Sequence, residues 1–177
     1  MMRTYLSIIV LVCVVFASCA RAETPTTPKE TVQAFLDLLS AGDMSAYEYW
    51  DVDMECDFIF GDFYRSLSPG EQKRLQDGLI GANQPFISMF SEILAESEIV
   101  FLGERALGAD VCEVEFWLAS GDDKTYYLYF MRRDGEGWKI IRGIIDGMDL
   151  DVVLRVAFLT EWQGLTVDEI LENFRLF

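Results

Sequence analysis

The sequence predicts an α+β domain: N-terminal helices packed on a curved, four-stranded antiparallel sheet, with more helices at the C-terminal end. Three observations carry this. Apolar residues recur at helical spacing through the first half, and after Ser97 alternating stretches are separated by the turn-forming LGAD, SGDD and DGEG. After Gly147 helical spacing returns. Helices before a run of hairpins and helices after it define helix layers on an antiparallel sheet. With 177 residues, 51% of them apolar, one core is affordable and two are not.

Thr27-Pro28-Lys29-Glu30 is a capping box with proline at the first helical position, and Val32, Phe35, Leu36 and Leu39 follow until Gly42 ends the element. A short helical piece is expected at Ala46 to Trp50. Phe58, Ile59, Phe60, Phe63, Tyr64 and Leu67 read as one aromatic-rich helix. Ser68-Pro69-Gly70-Glu71 repeats the cap and starts a helix expected to give way near Asn83. Pro85 then opens a further run through Phe86, Met89, Phe90 and Ile93.

Strands are expected at 98–106, 110–119, 124–132 and 137–145. On the second, Glu113 and Glu115 share a face that is polar in its middle, and a solvated strand face is the simpler reading of them. The third and fourth are apolar on both faces, Ile140 and Ile144 lying opposite to Ile141 and Ile145. Beyond Gly147, Leu150, Val153, Leu154, Ala157 and Trp162 form one stripe of a helix and Val152, Val156 and Leu159 a second. A helix this apolar is expected to be buried on two sides, with Asp151 and Arg155 paired along it. A last helix covers Val167 to Phe174.

Residues 1–22 read as an export signal, with Met1, Met2 and Arg3 before an apolar run from Tyr5 to Ala17. Ala20-Arg21-Ala22 fits ordinary cleavage, and Phe16-Ala17-Ser18-Cys19 fits a lipoprotein box. A soluble periplasmic chain is the expectation, and a chain anchored through Cys19 is the alternative. Residues 23–27 form a flexible tail and 28–177 a single domain. Cys13 falls in the signal, so Cys56 and Cys112 remain in either mature form. Such a pair outside the cytoplasm is expected to form a disulfide, the alternative being two buried free thiols.

The chain carries 14 basic and 30 acidic residues, and loss of the signal removes only Arg3 and Arg21. Such acidity argues against nucleic acid and against unspecific attachment to anionic headgroups. There is no histidine, which removes the usual nucleophile triads and histidine-ligated zinc. No phosphate-cradling glycine loop follows a strand. Asp51-Val52-Asp53-Met54-Glu55-Cys56-Asp57 mimics a calcium loop, but Cys56 stands where the turn glycine belongs and Asp62 where the bidentate glutamate belongs. Neither metal, cofactor nor covalent catalysis is expected.

Several short motifs resemble those of the MlaC, or toluene-tolerance, family of periplasmic phospholipid-binding proteins. A strand bearing Trp138 ends in Asp146-Gly147-Met148-Asp149, and the helix after it carries Leu154-Arg155-Val156-Ala157-Phe158. Upstream, Gly61-Asp62-Phe63-Tyr64-Arg65-Ser66-Leu67-Ser68-Pro69-Gly70-Glu71-Gln72 is similar to the family's Gly-x-x-Trp-Arg-x-x-Thr-Pro-x-x-Gln segment. The resemblance spans residues 55–175 and departs at Asp149 and Leu154, where the family shows serine and an aromatic. It implies a cone-like fold akin to nuclear transport factor around an apolar cavity for acyl chains, with Phe63, Phe90, Tyr127, Tyr129, Ile141 and Val153 as candidate walls. It also implies phospholipid or fatty acid as ligand, with an inner-membrane ABC permease complex and an outer-membrane lipoprotein as partners. The other reading is an exported accessory domain of the same superfold that binds a small molecule or a protein.

Overall fold

The computed structural model describes residues 25–174. The export signal, Cys13, Cys19 and the start of the tail lie outside the described residues.

The first helix, α1 (Pro28–Ser40), starts on the expected capping box: the Thr27 hydroxyl accepts from the Glu30 amide, and the Glu30 carboxylate accepts from the Thr27 amide. A 3₁₀ turn (Met44–Tyr49) follows. The aromatic-rich segment lies in two helices, not one, α2 (Val52–Phe60) and α3 (Asp62–Ser66). They part at Gly61, whose φ of 55° and ψ of −127° suit glycine and few other residues.

The capped start at Ser68 leads into one helix, α4 (Pro69–Ala95), where a break near Asn83 was expected. Pro85 lies inside it and is exposed. An interior proline costs about 3 kcal/mol. Leu75, Leu79, Ile87 and Leu94 are buried along the helix on both sides of that point. Each buried aliphatic side chain is worth about 1.5–3 kcal/mol, so the buried row outweighs the lost hydrogen bond.

The sheet is an antiparallel meander of five strands in sequence order, one more than expected: β1 (Glu98–Ala106), β2 (Val111–Ser120), β3 (Asp123–Asp134), β4 (Gly137–Ile145) and β5 (Met148–Asp149). The fifth is a two-residue strand formed as the chain folds back on β4. At Ile141 the register with β3 slips, Met131 facing Ile140 and Phe130 facing Arg142. The bulge overturns the expected alternation: Ile140, Gly143 and Ile145 lie opposite Met131, Tyr129 and Tyr127 on the inner face.

Helix α1 covers that inner face, burying Phe35, Leu36 and Leu39 against Val114, Phe116 and Tyr129. A second apolar cluster joins the helices alone: Cys56, Ile59 and Phe60 of α2, Leu75 and Leu79 of α4, Phe158 and Trp162, and Ile170 and Phe174 of α6 (Val167–Phe174).

The expectation for the apolar helix after Gly147 is overturned. Helix α5 (Leu150–Ala157) runs into a wider π turn (Phe158–Trp162) and lies on α2 and β4, but nothing covers its second stripe among the described residues. Val152, Val153, Val156 and Leu159 are exposed, and the buried residue of α5 is Asp151. The expected Asp151–Arg155 pair does not form. The Arg155 guanidinium donates to the Phe58 carbonyl and lies over the Phe58 ring, while Asp151 faces inward.

Cys56 and Cys112 are free thiols. The disulfide is excluded by placement, since Cys56 sits in the helical cluster and Cys112 against α1 in the sheet cluster. Burial raises both thiols, Cys112 to about 11, so neither is reactive. No helix among the described residues is long and apolar enough to cross a membrane.

Candidate functional site

Between α1 and the inner face of the sheet lie two adjoining clefts, of about 170 and 130 Å³. They share a wall of Phe35, Tyr47, Asn83, Tyr129 and Ile145. Leu39, Ile87 and Phe90 extend the smaller cleft toward α4. Trp50, Glu55, Leu150, Asp151 and Leu154 close the larger one against α2 and α5.

The back wall is an aromatic triangle. Phe35, Trp50 and Tyr129 have ring centroids 5.8–6.0 Å apart. It closes over Gly143, where an added Cβ would stand 3.0 Å from Tyr129 and 3.2 Å from Trp50. The indole N–H of Trp50 is buried without a well-formed hydrogen bond, beside the Glu55 carboxyl, whose charged form it favours.

The polar floor consists of two carboxyls on different helices. Glu55 is 7% exposed and Asp151 4% exposed, and the two are hydrogen-bonded to each other. Burial pushes Glu55 up to about 8, with the Asp151 charge second. Burial likewise raises Asp151 to about 6; Asp149 adds to the shift, and Arg142 opposes it. Two carboxyls this close and this dry hold a proton between them at neutral pH. Arg142 is itself engaged by Asp149, which also caps α5 by accepting from the Val152 amide.

Of the expected cavity walls, Phe90 and Tyr129 line the clefts. Tyr127 belongs to the solid core, stacked on Phe116 at 5.0 Å. Phe63 lines a separate groove of about 260 Å³ with Gly61, Arg155 and Phe158. Two more of the expected walls lie outside the clefts. Ile141 is the bulge residue of β4 and touches neither cleft, and Val153 is 53% exposed on the outer side of α5. A wider groove of about 640 Å³ lies between α4 and α6, lined by Arg74, Asp77, Gly78 and Leu171. No buried acid or aromatic triangle backs it.

The motif residues behave as braces. The Tyr64 hydroxyl donates to Asp53 at 2.5 Å, Gln72 donates to the Tyr64 carbonyl at 3.0 Å, and Arg65 pairs with Asp57 and Asp62. Pro69 opens α4, Trp138 lies under Arg133, and Gly147 takes a φ of 80° before α5. Phe158 packs on Phe60 and Phe63. The acids of the calcium-like run are absorbed the same way, Asp51 capping α2 and pairing with Arg132. Glu113 corrects the solvated-face reading, since it is buried and paired with Arg105 of β1.

Sequence reasoning missed Phe35, Trp50, Tyr47, Asn83 and the acid pair. A signal for the acids exists. Glu55 falls on the buried helical row with Cys56, Ile59 and Phe60, and Asp151 on the row of Leu154 and Phe158.

A helix layer over an antiparallel meander, with clefts between them, defines the architecture of a cleft-bearing α+β domain. No family model and no curated protein matches the chain. Among solved structures it is similar to the phospholipid-binding protein of Ralstonia solanacearum in complex with a phospholipid. The similarity has a TM-score of 0.67 at 17% identity and covers 88% of this chain and 96% of that one. The two share a fold along almost their whole lengths.

Proposed function

We propose that this protein binds a phospholipid or fatty acid between α1 and the sheet and carries it without covalent chemistry. The observation that supports this best is the apolar cleft itself, set in a fold shared with a protein whose structure holds a phospholipid. The finer reading is an exported, periplasmic carrier cleaved after residue 22. In that reading it receives and delivers lipid through an outer-membrane lipoprotein and an inner-membrane ABC permease complex.

The physics of a carrier sets a size requirement. About 30 methylenes of two acyl chains, at about 0.8 kcal/mol each, must exchange water or bilayer for protein. Sites for drug-sized ligands hold about 300–1,000 Å³, and the clefts hold 170 and 130 Å³. Lipid entry therefore requires the helix layer to part from the sheet. The clefts as they stand suit a smaller ligand, which is the accessory-domain reading.

The test is uptake of labelled phosphatidylcholine from vesicles by the mature protein. Wild type is expected to extract label, and Ile145→Glu, which places a charge in the shared wall, to lose uptake while keeping its circular dichroism spectrum. A wild type that extracts nothing leaves the accessory-domain reading in place.

A further inference from the structure

Helix α5 packs only Leu154 and Ala157, both partly buried, on the helical cluster. Val152, Val153 and Val156 face solvent, and the side chain it buries is a carboxylic acid. That acid, Asp151, is hydrogen-bonded to Glu55 of α2, and both line the larger cleft. The two acids therefore sit where α2, α5 and the cleft meet. The joint is favoured while one of the two is protonated and weakened when neither is, because two adjacent carboxylates taken out of water repel each other and lose their shared hydrogen bond.

We infer that Glu55 and Asp151 form a proton-held latch: sharing a proton they pin α5 to α2 across the larger cleft, and on losing it they release α5 and open that cleft. The inference rests on the cleft being the ligand site, and it gives that site pH-controlled access.

The groups around the pair do not replace the proton. Arg142 of β4 is the cation acting on Asp151, but Asp149 engages it and adds its own negative charge. Tyr47 of the 3₁₀ turn, Tyr129 of β3 and Cys56 of α2 are all raised by burial and stay neutral through the relevant range. Asp53 acts on Cys56 and is bound by Tyr64, and Asn83 of α4 bonds Tyr47. Arg155 is held at the Phe58 carbonyl.

The sign follows from linkage. Both acids are raised in the folded state, so the closed form binds the extra proton. It is fully favoured below the ordinary carboxylate range and loses its advantage as pH rises from about 4 to about 8, above which the loss is complete. For one proton, the ratio of open to closed shifts by up to about tenfold per pH unit.

Hydrogen exchange of α5 in the lipid-free protein, corrected for the pH dependence of intrinsic exchange, tests this. Wild-type protection is expected to fall with a slope approaching tenfold per pH unit between pH 6 and 8.5. In Glu55→Gln/Asp151→Asn, whose amides keep the hydrogen bond without a charge, protection is expected to stay high and flat. Should the double variant not fold, Asp151→Asn alone is expected to lose most of the slope. Flat protection in wild type, or an unchanged slope in a folded variant, overturns the latch. Uptake of phosphatidylcholine from vesicles at the same pH values is a separate readout. A protein with the expected exchange slope and no uptake at any pH has the latch and is not a carrier of that lipid.

Discussion

Replacing Phe116 by alanine tests whether the inner face of the sheet is solid core beside the clefts. The ring is fully buried, stacks on Tyr127 at 5.0 Å and 11°, meets Tyr129 edge-on at 5.2 Å and contacts Phe101 at 5.7 Å. Phenylalanine-to-alanine changes in a close-packed core cost about 3–5 kcal/mol, and each lost aromatic pair adds to the cost of lost area. The upper half of that range, about 4–5 kcal/mol, is expected, because the three neighbouring rings are fixed by the strand register and cannot collapse into the hole. At about 2–4 °C per kcal/mol for a chain of this size, the melting temperature should fall by about 8–20 °C. Urea unfolding followed by fluorescence and circular dichroism gives the free energy directly. A loss below about 1.5 kcal/mol with an unchanged m-value would show that Phe116 borders open space and that the hollow extends under the whole sheet.

Other outcomes follow from the same structure. Glu55→Gln removes a carboxyl whose folded value, about 8, lies well above the ordinary glutamate value of about 4.3. The wild type loses stability from this group as pH rises through that interval, so the variant's melting temperature relative to wild type should climb between pH 5 and 8. The slope is at most about 1.4 kcal/mol per pH unit, and a difference that is flat with pH would show Glu55 to be ordinary. Arg105→Ala leaves Glu113, 3% exposed, without its partner. About 1–3 kcal/mol of destabilisation is expected, and none would mean that water reaches Glu113. Cys56 and Cys112 should each take up alkylating reagent in denaturant without prior reduction, and an intact mass that shifts only after reduction would contradict their placement in separate clusters.

Much of the architecture is written in local signals. Both proline-led capping boxes, the strand limits and the hairpin turns stand within a few residues of where periodicity and turn chemistry put them. The failures have long-range causes. The helix continues through Pro85 because rows buried on both sides of it outweigh one lost bond. The Ile141 bulge is set by pairing with β3, which no single strand reveals. The two thiols are held apart by belonging to different layers. The site was the least legible part. Aromatic and aliphatic periodicity points toward an interior but cannot tell a packed ring such as Tyr127 from a cleft wall such as Phe90. An acid on a helix is ordinarily read as solvent-facing, and by sequence Glu55 falls in the calcium-like run and Asp151 beside Arg155, although the rows they fall on are apolar. The second stripe of α5 illustrates the same limit, because periodicity shows that a face is apolar and not that anything covers it.

The central claim is that the space between α1 and the sheet holds a lipid. Its most direct test is to express the full chain in a bacterium with two membranes, purify it without detergent, and record its mass under native conditions alongside an organic extract. The account predicts an adduct of phospholipid or fatty-acid mass and the matching lipid in the extract. It also predicts a higher melting temperature for the loaded form than for the stripped one, by mass action. A protein that leaves the cell empty, yields no lipid on extraction, and melts at one temperature with and without added phospholipid would contradict it.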